Sequence, residues 1–215
     1  MRLIQFNSIA CTLLLATSAA HAAIPIDGWY SNGFGGYAYV PNNIERTRNN
    51  IQYRDANYES EYNVGGSFGY KSNPMRYEGQ MTYISAMLRH VAENGVRDPR
   101  VAGYNNAIFA LANVYYDFPM VIPTISPFLG AGLGYGWINV KVDNSRLNIT
   151  DFRVSGSAFT YQGTGGVTFN FSENYALFVA YRYLGTNRVF DLGKRFQAHL
   201  ANFGIIYRYD EAKYK

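Results

Sequence analysis

Apolar and polar residues alternate with a period of two in eight stretches, approximately 28–40, 62–71, 75–86, 106–118, 128–142, 158–171, 175–185 and 198–209. Period two puts successive side chains on opposite faces of a strand, and each stretch has at least the roughly 9–11 residues a tilted strand needs to cross a bilayer. The sixth is cleanest: Phe159, Tyr161, Val167, Phe169 and Phe171 oppose Thr160, Gln162, Thr164, Thr168 and Asn170. In the second, Tyr62, Val64, Phe68 and Tyr70 oppose Asn63, Gly65, Ser67 and Gly69; in the fifth, Leu129, Ala131, Leu133, Tyr135 and Trp137 oppose Gly130, Gly132, Gly134 and Gly136. The first is ambiguous, because Trp29, Tyr37 and Tyr39 oppose Tyr30, Phe34 and Val40, and both sets are apolar.

Such alternation fits a soluble sandwich with its apolar face inward or a membrane barrel with that face outward. Connection lengths separate the two. Segments 41–61, 87–105, 143–157 and 186–197 are long, whereas 72–74, 119–127 and 172–174 are shorter, and the two classes alternate along the chain. Outer-membrane barrels have this asymmetry, with short periplasmic turns and long outer loops. Charge position agrees. An Arg or Lys facing lipid at mid-membrane costs roughly 2–4 kcal/mol, and Arg76, Glu78, Asp117, Arg182 and Arg208 all fall on the polar parity of their strands. The predicted architecture is all-β: an eight-stranded antiparallel up-and-down transmembrane β-barrel with four long extracellular loops.

The N-terminus places this barrel in an exported chain. Residues 1–22 read as a signal peptide: Arg2 gives the positive end, Ile9 to Ala16 are mostly apolar, and Ala20-His21-Ala22 is a small-x-small cleavage site. The barrel is then expected over 23–209 and a short periplasmic tail over 210–215, with both termini periplasmic and no peptidoglycan-binding domain following. Cys11, the only cysteine, lies in the signal, so the mature chain has no disulfide and no sulfur ligand for a metal. Twenty Tyr, 14 Phe and 21 Gly with only 16% charged residues suit an aromatic-banded membrane wall. The net charge of +4, or +3 without Arg2, is too small to imply nucleic-acid binding.

The last strand reads polar-x-Gly-x-x-aromatic-x-aromatic from Asn202 through Gly204 and Tyr207 to Tyr209. This resembles the signal by which the barrel assembly machinery recognises a terminal strand. Gly28-Trp29-Tyr30, Asn113-Val114-Tyr115-Tyr116-Asp117, the run Pro127 to Gly136 and Tyr181-Arg182-Tyr183 resemble the opacity-protein-like surface antigens, a group related to the N-terminal barrel of the outer-membrane protein A family. The resemblance spans the mature chain. It implies a bacterial surface barrel of a kind that includes adhesins, immune-facing antigens and a few pores.

Eight strands enclose a space that side chains nearly fill. Arg76, Glu78, Gln80, Asn113, Asp117, Arg182 and Arg208 are the expected lumen residues, with Glu78 and Asp117 expected to pair with Arg76 and Arg208. They form either a structural polar plug or, with the small lumen glycines, a gated narrow pore. The four loops hold eleven basic and nine acidic residues. Their candidate ligand-binding residues are Arg46, Arg48, Tyr53, Arg54, Tyr58, Arg89, His90, Arg97, Arg100, Arg188, Lys194 and Arg195. Arginine with tyrosine suits a host protein or sulfated glycan, and equally suits loops lying near anionic lipopolysaccharide. The expected function is an adhesin or surface antigen, with a narrow porin or a structural outer-membrane protein as the alternative.

Catalysis is not expected. A lipid A-remodelling site needs a His-Ser pair with a carboxylate or similar, and neither His90 nor His199 has an evident Ser partner in sequence. No cofactor and no metal constellation stands out. Gly33-x-Gly35-x-x-Ala38 matches a dinucleotide fingerprint by letter, but no helix follows it. Asn148-Ile149-Thr150 is a glycosylation sequon, which most bacteria have no machinery to use. Ile84, Met87, Leu88 and Val91 have helical spacing ahead of Asn94-Gly95, which predicts a short helix over 84–94.

Overall fold

The computed structural model describes residues 26–41, 46–48, 51–93, 96–98, 102–119, 124–143, 152–188 and 195–210, with side chains for 26–41, 61–86, 106–119, 124–139, 155–187 and 195–210. The expected signal over 1–22 and most of the expected tail lie outside these residues. Ten strands follow in chain order: β1 (Gly28–Tyr39), β2 (Arg46–Arg48), β3 (Ile51–Ser72), β4 (Met75–Glu93), β5 (Val96–Asp98), β6 (Ala102–Asp117), β7 (Ile125–Asp143), β8 (Phe152–Asn170), β9 (Tyr175–Arg188) and β10 (Arg195–Arg208). Each long strand pairs antiparallel with its neighbours, and β1 pairs with both β3 and β10, which closes an eight-stranded barrel. Closure gives every wall strand two partners, so no unpaired backbone edge faces lipid. At the seam Tyr30 lies opposite Arg208 and Tyr39 opposite His199.

The strands run further than the alternation indicated. β3 spans 22 residues and β4 spans 19, about twice what a bilayer crossing requires. Much of the expected loops 41–61 and 87–105 is therefore strand. β2 folds back on β3, with Arg46 opposite Tyr53, and β5 folds back on β4, with Ala92 opposite Arg97. Tyr53 in turn lies opposite Glu93. Together β2, the start of β3, the end of β4 and β5 make a four-stranded paddle above the wall. The helix expected over 84–94 is not there. Residues 84–93 are the end of β4, laddered to β3 and, over 84–88, also to β6, and those pairings satisfy the backbone in place of helical bonds. Ile84 is buried in the barrel opposite Ala107, so its apolar character serves the interior and not a helix stripe.

Facing follows parity. Val64, Met81, Leu133, Val179 and Phe203 point out across the middle of the wall. Tyr37, Tyr39, Tyr62, Trp137 and Tyr181 are exposed toward the long-hairpin end, and Trp29, Tyr70, Tyr77, Tyr116 and Tyr175 toward the short-turn end. These are the two aromatic girdles that flank an apolar band in a membrane barrel. The ambiguous first strand resolves the same way: Trp29, Tyr37 and Tyr39 face out, while Tyr30, Phe34 and Val40 are buried inside.

Candidate functional site

Inside the barrel the inward side chains form layers. Toward the long hairpins sits an apolar cluster of Ala38, Val40, Ile84, Ala107, Phe109, Leu111, Ile138, Ala158, Leu184, Ala198 and Leu200, with Phe196 packed against it. Below it lies an amide layer. Asn113 donates to Gln80 at 2.9 Å, Gln162 donates to Asn113 at 3.2 Å, and Gln80 donates to Thr82 at 2.6 Å. Asn202 donates to Asn63, whose own amide reaches the Tyr37 carbonyl at 3.1 Å. Toward the short turns a second cluster, including Tyr30, Phe34, Tyr115, Phe128 and Phe178, surrounds the charged residues.

The glycines of β7 do not leave a channel. A Cβ on Gly132 would lie 1.8 Å from Asn113 Oδ1, and one on Gly130 or Gly136 would overlap the Tyr115 or Phe109 ring. At these three glycines a β6 side chain occupies the space, and at Gly134 the β6 backbone at Ala110 does. The expectation that these glycines help to open a pore is corrected accordingly.

All seven expected lumen residues lie inside the wall, with six of them buried and Asp117 half-buried. Their pairing matches the expected one at Asp117 and Arg76 and departs from it at Glu78 and Arg208. Asp117 takes Arg76 Nε at 2.9 Å and Lys71 Nζ at 3.8 Å. Glu78 instead accepts from the Tyr30 hydroxyl at 2.9 Å, Asn32 at 3.0 Å and the Tyr115 hydroxyl at 3.4 Å. Arg208 donates to Asn170 Oδ1 at 2.6 Å and to the Glu173 carbonyl at 3.3 Å, with no carboxylate partner among the described residues. Arg182 lies 4.0 Å over the Phe34 ring, a cation–π contact strengthened by desolvation. Lys71, Tyr30 and Tyr115 escaped the sequence reading. Lys71 shares the parity of Gly69 and Tyr115 that of Asn113, which places both inward, whereas Tyr30 lies in the strand whose facing alternation leaves open.

Of the candidate loop residues, Arg46 and Arg48 stand in β2, Tyr53, Arg54 and Tyr58 in β3, Arg89 and His90 in β4, and Arg97 in β5. Arg188 ends β9 directly opposite Arg195, which opens β10. Arg100 and Lys194 lie outside the described residues. The terminal-strand motif puts Asn202 inward and buried, while a Cβ on Gly204 would overlap the Phe178 ring. Tyr209 follows the strand and donates to Ser31 at 3.2 Å. His199 Nδ1 is 2.6 Å from the Tyr181 hydroxyl on the outer face, so its partner is a phenol and not a serine. Among the described residues no group of three metal-ligating side chains converges.

The outer membrane protein β-barrel domain family matches residues 8–209. The chain belongs to that family. It is an outer-membrane β-barrel protein, and its exposed wall is in contact with membrane lipid. A curated relative, an outer membrane protein of Gluconacetobacter diazotrophicus, is 28% identical over 205 residues, covering 86% of this chain and 53% of that one. The chain therefore spans about half the length of the relative it matches. Among solved structures, Neisserial surface protein A is similar, with a TM-score of 0.56 and 19% identity over 85% of this chain and 97% of that one. Ail, the attachment invasion locus protein of Yersinia pestis, has a TM-score of 0.50 and 17% identity over 86% of this chain and all of that one. At such identities the likeness concerns the fold.

Proposed function

We propose that this barrel is a non-enzymatic scaffold that presents a binding crown at the cell surface, as an adhesin or surface antigen. The observation that carries the reading is the occluded interior. The apolar layer around Phe109, Leu184 and Leu200 sits across the lumen, and buried apolar side chains at close packing leave no wetted path. The candidate contact residues then lie at the long-hairpin end, where the strands carrying Arg46, Tyr53, Arg54, Arg89, His90 and Arg97 continue beyond the wall. Strand pairing there fixes the backbone before a partner arrives, which lowers the ordering cost of binding. In this reading the long hairpins are extracellular and both termini periplasmic. The Asn202-to-Tyr209 strand serves the barrel assembly machinery, and the partner is a host surface protein or glycan.

The test is display on a non-adherent bacterium, with hairpins 46–53 and 91–98 shortened separately. Binding to host cells or matrix that falls on shortening either hairpin supports the crown; no binding to any cell or matrix component refutes it. The narrow-pore alternative predicts steady unitary conductance from refolded protein in planar bilayers, whereas an occluded barrel gives none.

A further inference from the structure

The short-turn end of the interior carries more positive charge than its carboxylates serve. Lys71, Arg76 and Arg208 are each more than nine-tenths buried, and all three line one small cavity of about 20 Å³ whose only acidic lining residue is Asp117. Glu78 is engaged with phenol and amide donors. Asp117 serves Arg76 and Lys71 together, while Arg208 holds only neutral oxygens. Arg76 keeps a further nitrogen, Nη2, with no hydrogen-bond partner. Asp27 and Glu173 stand exposed at the rim. Asp210, just past the end of β10, already has a partner of its own. A buried charge short of partners is unfavourable, and a counter-ion offsets that penalty.

Two neutral groups complete the lining. Ser126 Oγ accepts from Asn170 Nδ2 at 3.1 Å, which leaves its own proton to donate, and Thr168 adds a second hydroxyl. The cavity of about 20 Å³ has room for a water-sized particle, and a monatomic halide is the smallest anion that could occupy it. The amide and apolar layers close the other side, so access is from the short-turn mouth.

We propose that this cavity is a binding site for a single halide ion, held by Lys71, Arg76 and Arg208 with the Ser126 and Thr168 hydroxyls as neutral donors. The ion offsets one of the two positive charges that Asp117 alone leaves unmatched among these three cations.

Refolded protein in zwitterionic micelles is unfolded by heat while sodium chloride replaces sodium gluconate at constant ionic strength. The midpoint of the gel-mobility transition is expected to rise saturably with chloride. In Lys71→Met the half-saturating chloride concentration is expected to rise about tenfold, the change that goes with losing one charged contact. In Arg208→Gln the chloride response is expected to flatten. Crystals soaked in sodium bromide give a readout that needs no variant: an anomalous peak inside the barrel between these three side chains. Equal midpoints in chloride and gluconate, or bromide at surface positions only, would overturn the proposal.

Discussion

An arginine placed at two depths on one strand tests which face of the wall meets lipid. Met81 and Tyr77 both point outward from β4 and are 61% and 51% exposed. Met81 lies six residues from Met75 at the short-turn end. At about 3.3 Å per residue and a tilt of about 40°, it stands about 15 Å up the barrel axis, close to the middle of an apolar band about 25 Å tall. Tyr77, two residues from Met75, stands at about 5 Å, within the aromatic girdle. An arginine at mid-band costs about 2–4 kcal/mol and one near the interface about 0–1. Met81→Arg, measured against Met81→Ala, is therefore expected to lose about 3 kcal/mol, and Tyr77→Arg against Tyr77→Ala less than about 1. Using alanine as each reference removes the loss of the native side chain from the comparison. Equilibrium unfolding in urea from lipid vesicles, followed by fluorescence of the outward Trp29 and Trp137, reads both. A soluble sandwich would bear an exposed arginine at Met81 without cost, so equal stability of the two arginine variants refutes the outward-lipid assignment.

Asp117→Asn leaves Arg76 and Lys71 without their shared carboxylate. Removing one partner of a buried pair typically costs about 3–5 kcal/mol; with Asp117 at the mouth, a loss near the lower end is expected in the same urea assay. Gly132→Val drives a branched side chain into Asn113, and overpacking of this kind costs about 1–3 kcal/mol or more. A gel showing no heat-modifiable folded band, or one at lower temperature, is the expected result. Leu184→Ser combined with Leu200→Ser wets the apolar layer, and planar-bilayer recording is expected to show leak current absent from the unaltered protein.

The wall was legible because each of its constraints is local. Alternation, the parity of Arg76, Glu78, Arg182 and Arg208, and the rhythm of long and short connections all come from neighbours within about ten residues. β1 was not legible from its own residues, since Tyr30 and Phe34 are as apolar as Trp29 and Tyr37. What decides its facing is distant. The Tyr30 hydroxyl needs Glu78, 48 positions away, and Phe34 supplies the ring under Arg182. The pairing of Asp117 with Arg76 was legible, but that of Glu78 was not, for the same reason. Glu78 has two cations on nearby positions of its barrel end, yet two phenols reach it first.

The crown was misread for a different reason. Residues 51–61 and 87–93 lack clean period-two alternation, and alternation is a record of one face meeting a core or a lipid phase. A strand that continues past the membrane band meets no lipid phase there, so its order of arginine, tyrosine and acids is not held to alternation by lipid. The bulges between Arg54 and Asn57 and again near Glu59 also shift the parity midway along β3. Hydrogen bonding to an adjacent strand continues regardless, because Tyr53 opposite Glu93 needs only backbone. Loss of the period-two pattern is therefore compatible with paired strand beyond the wall. It marks the segment that pairing with adjacent strands, and not alternation against a core or lipid, holds as strand.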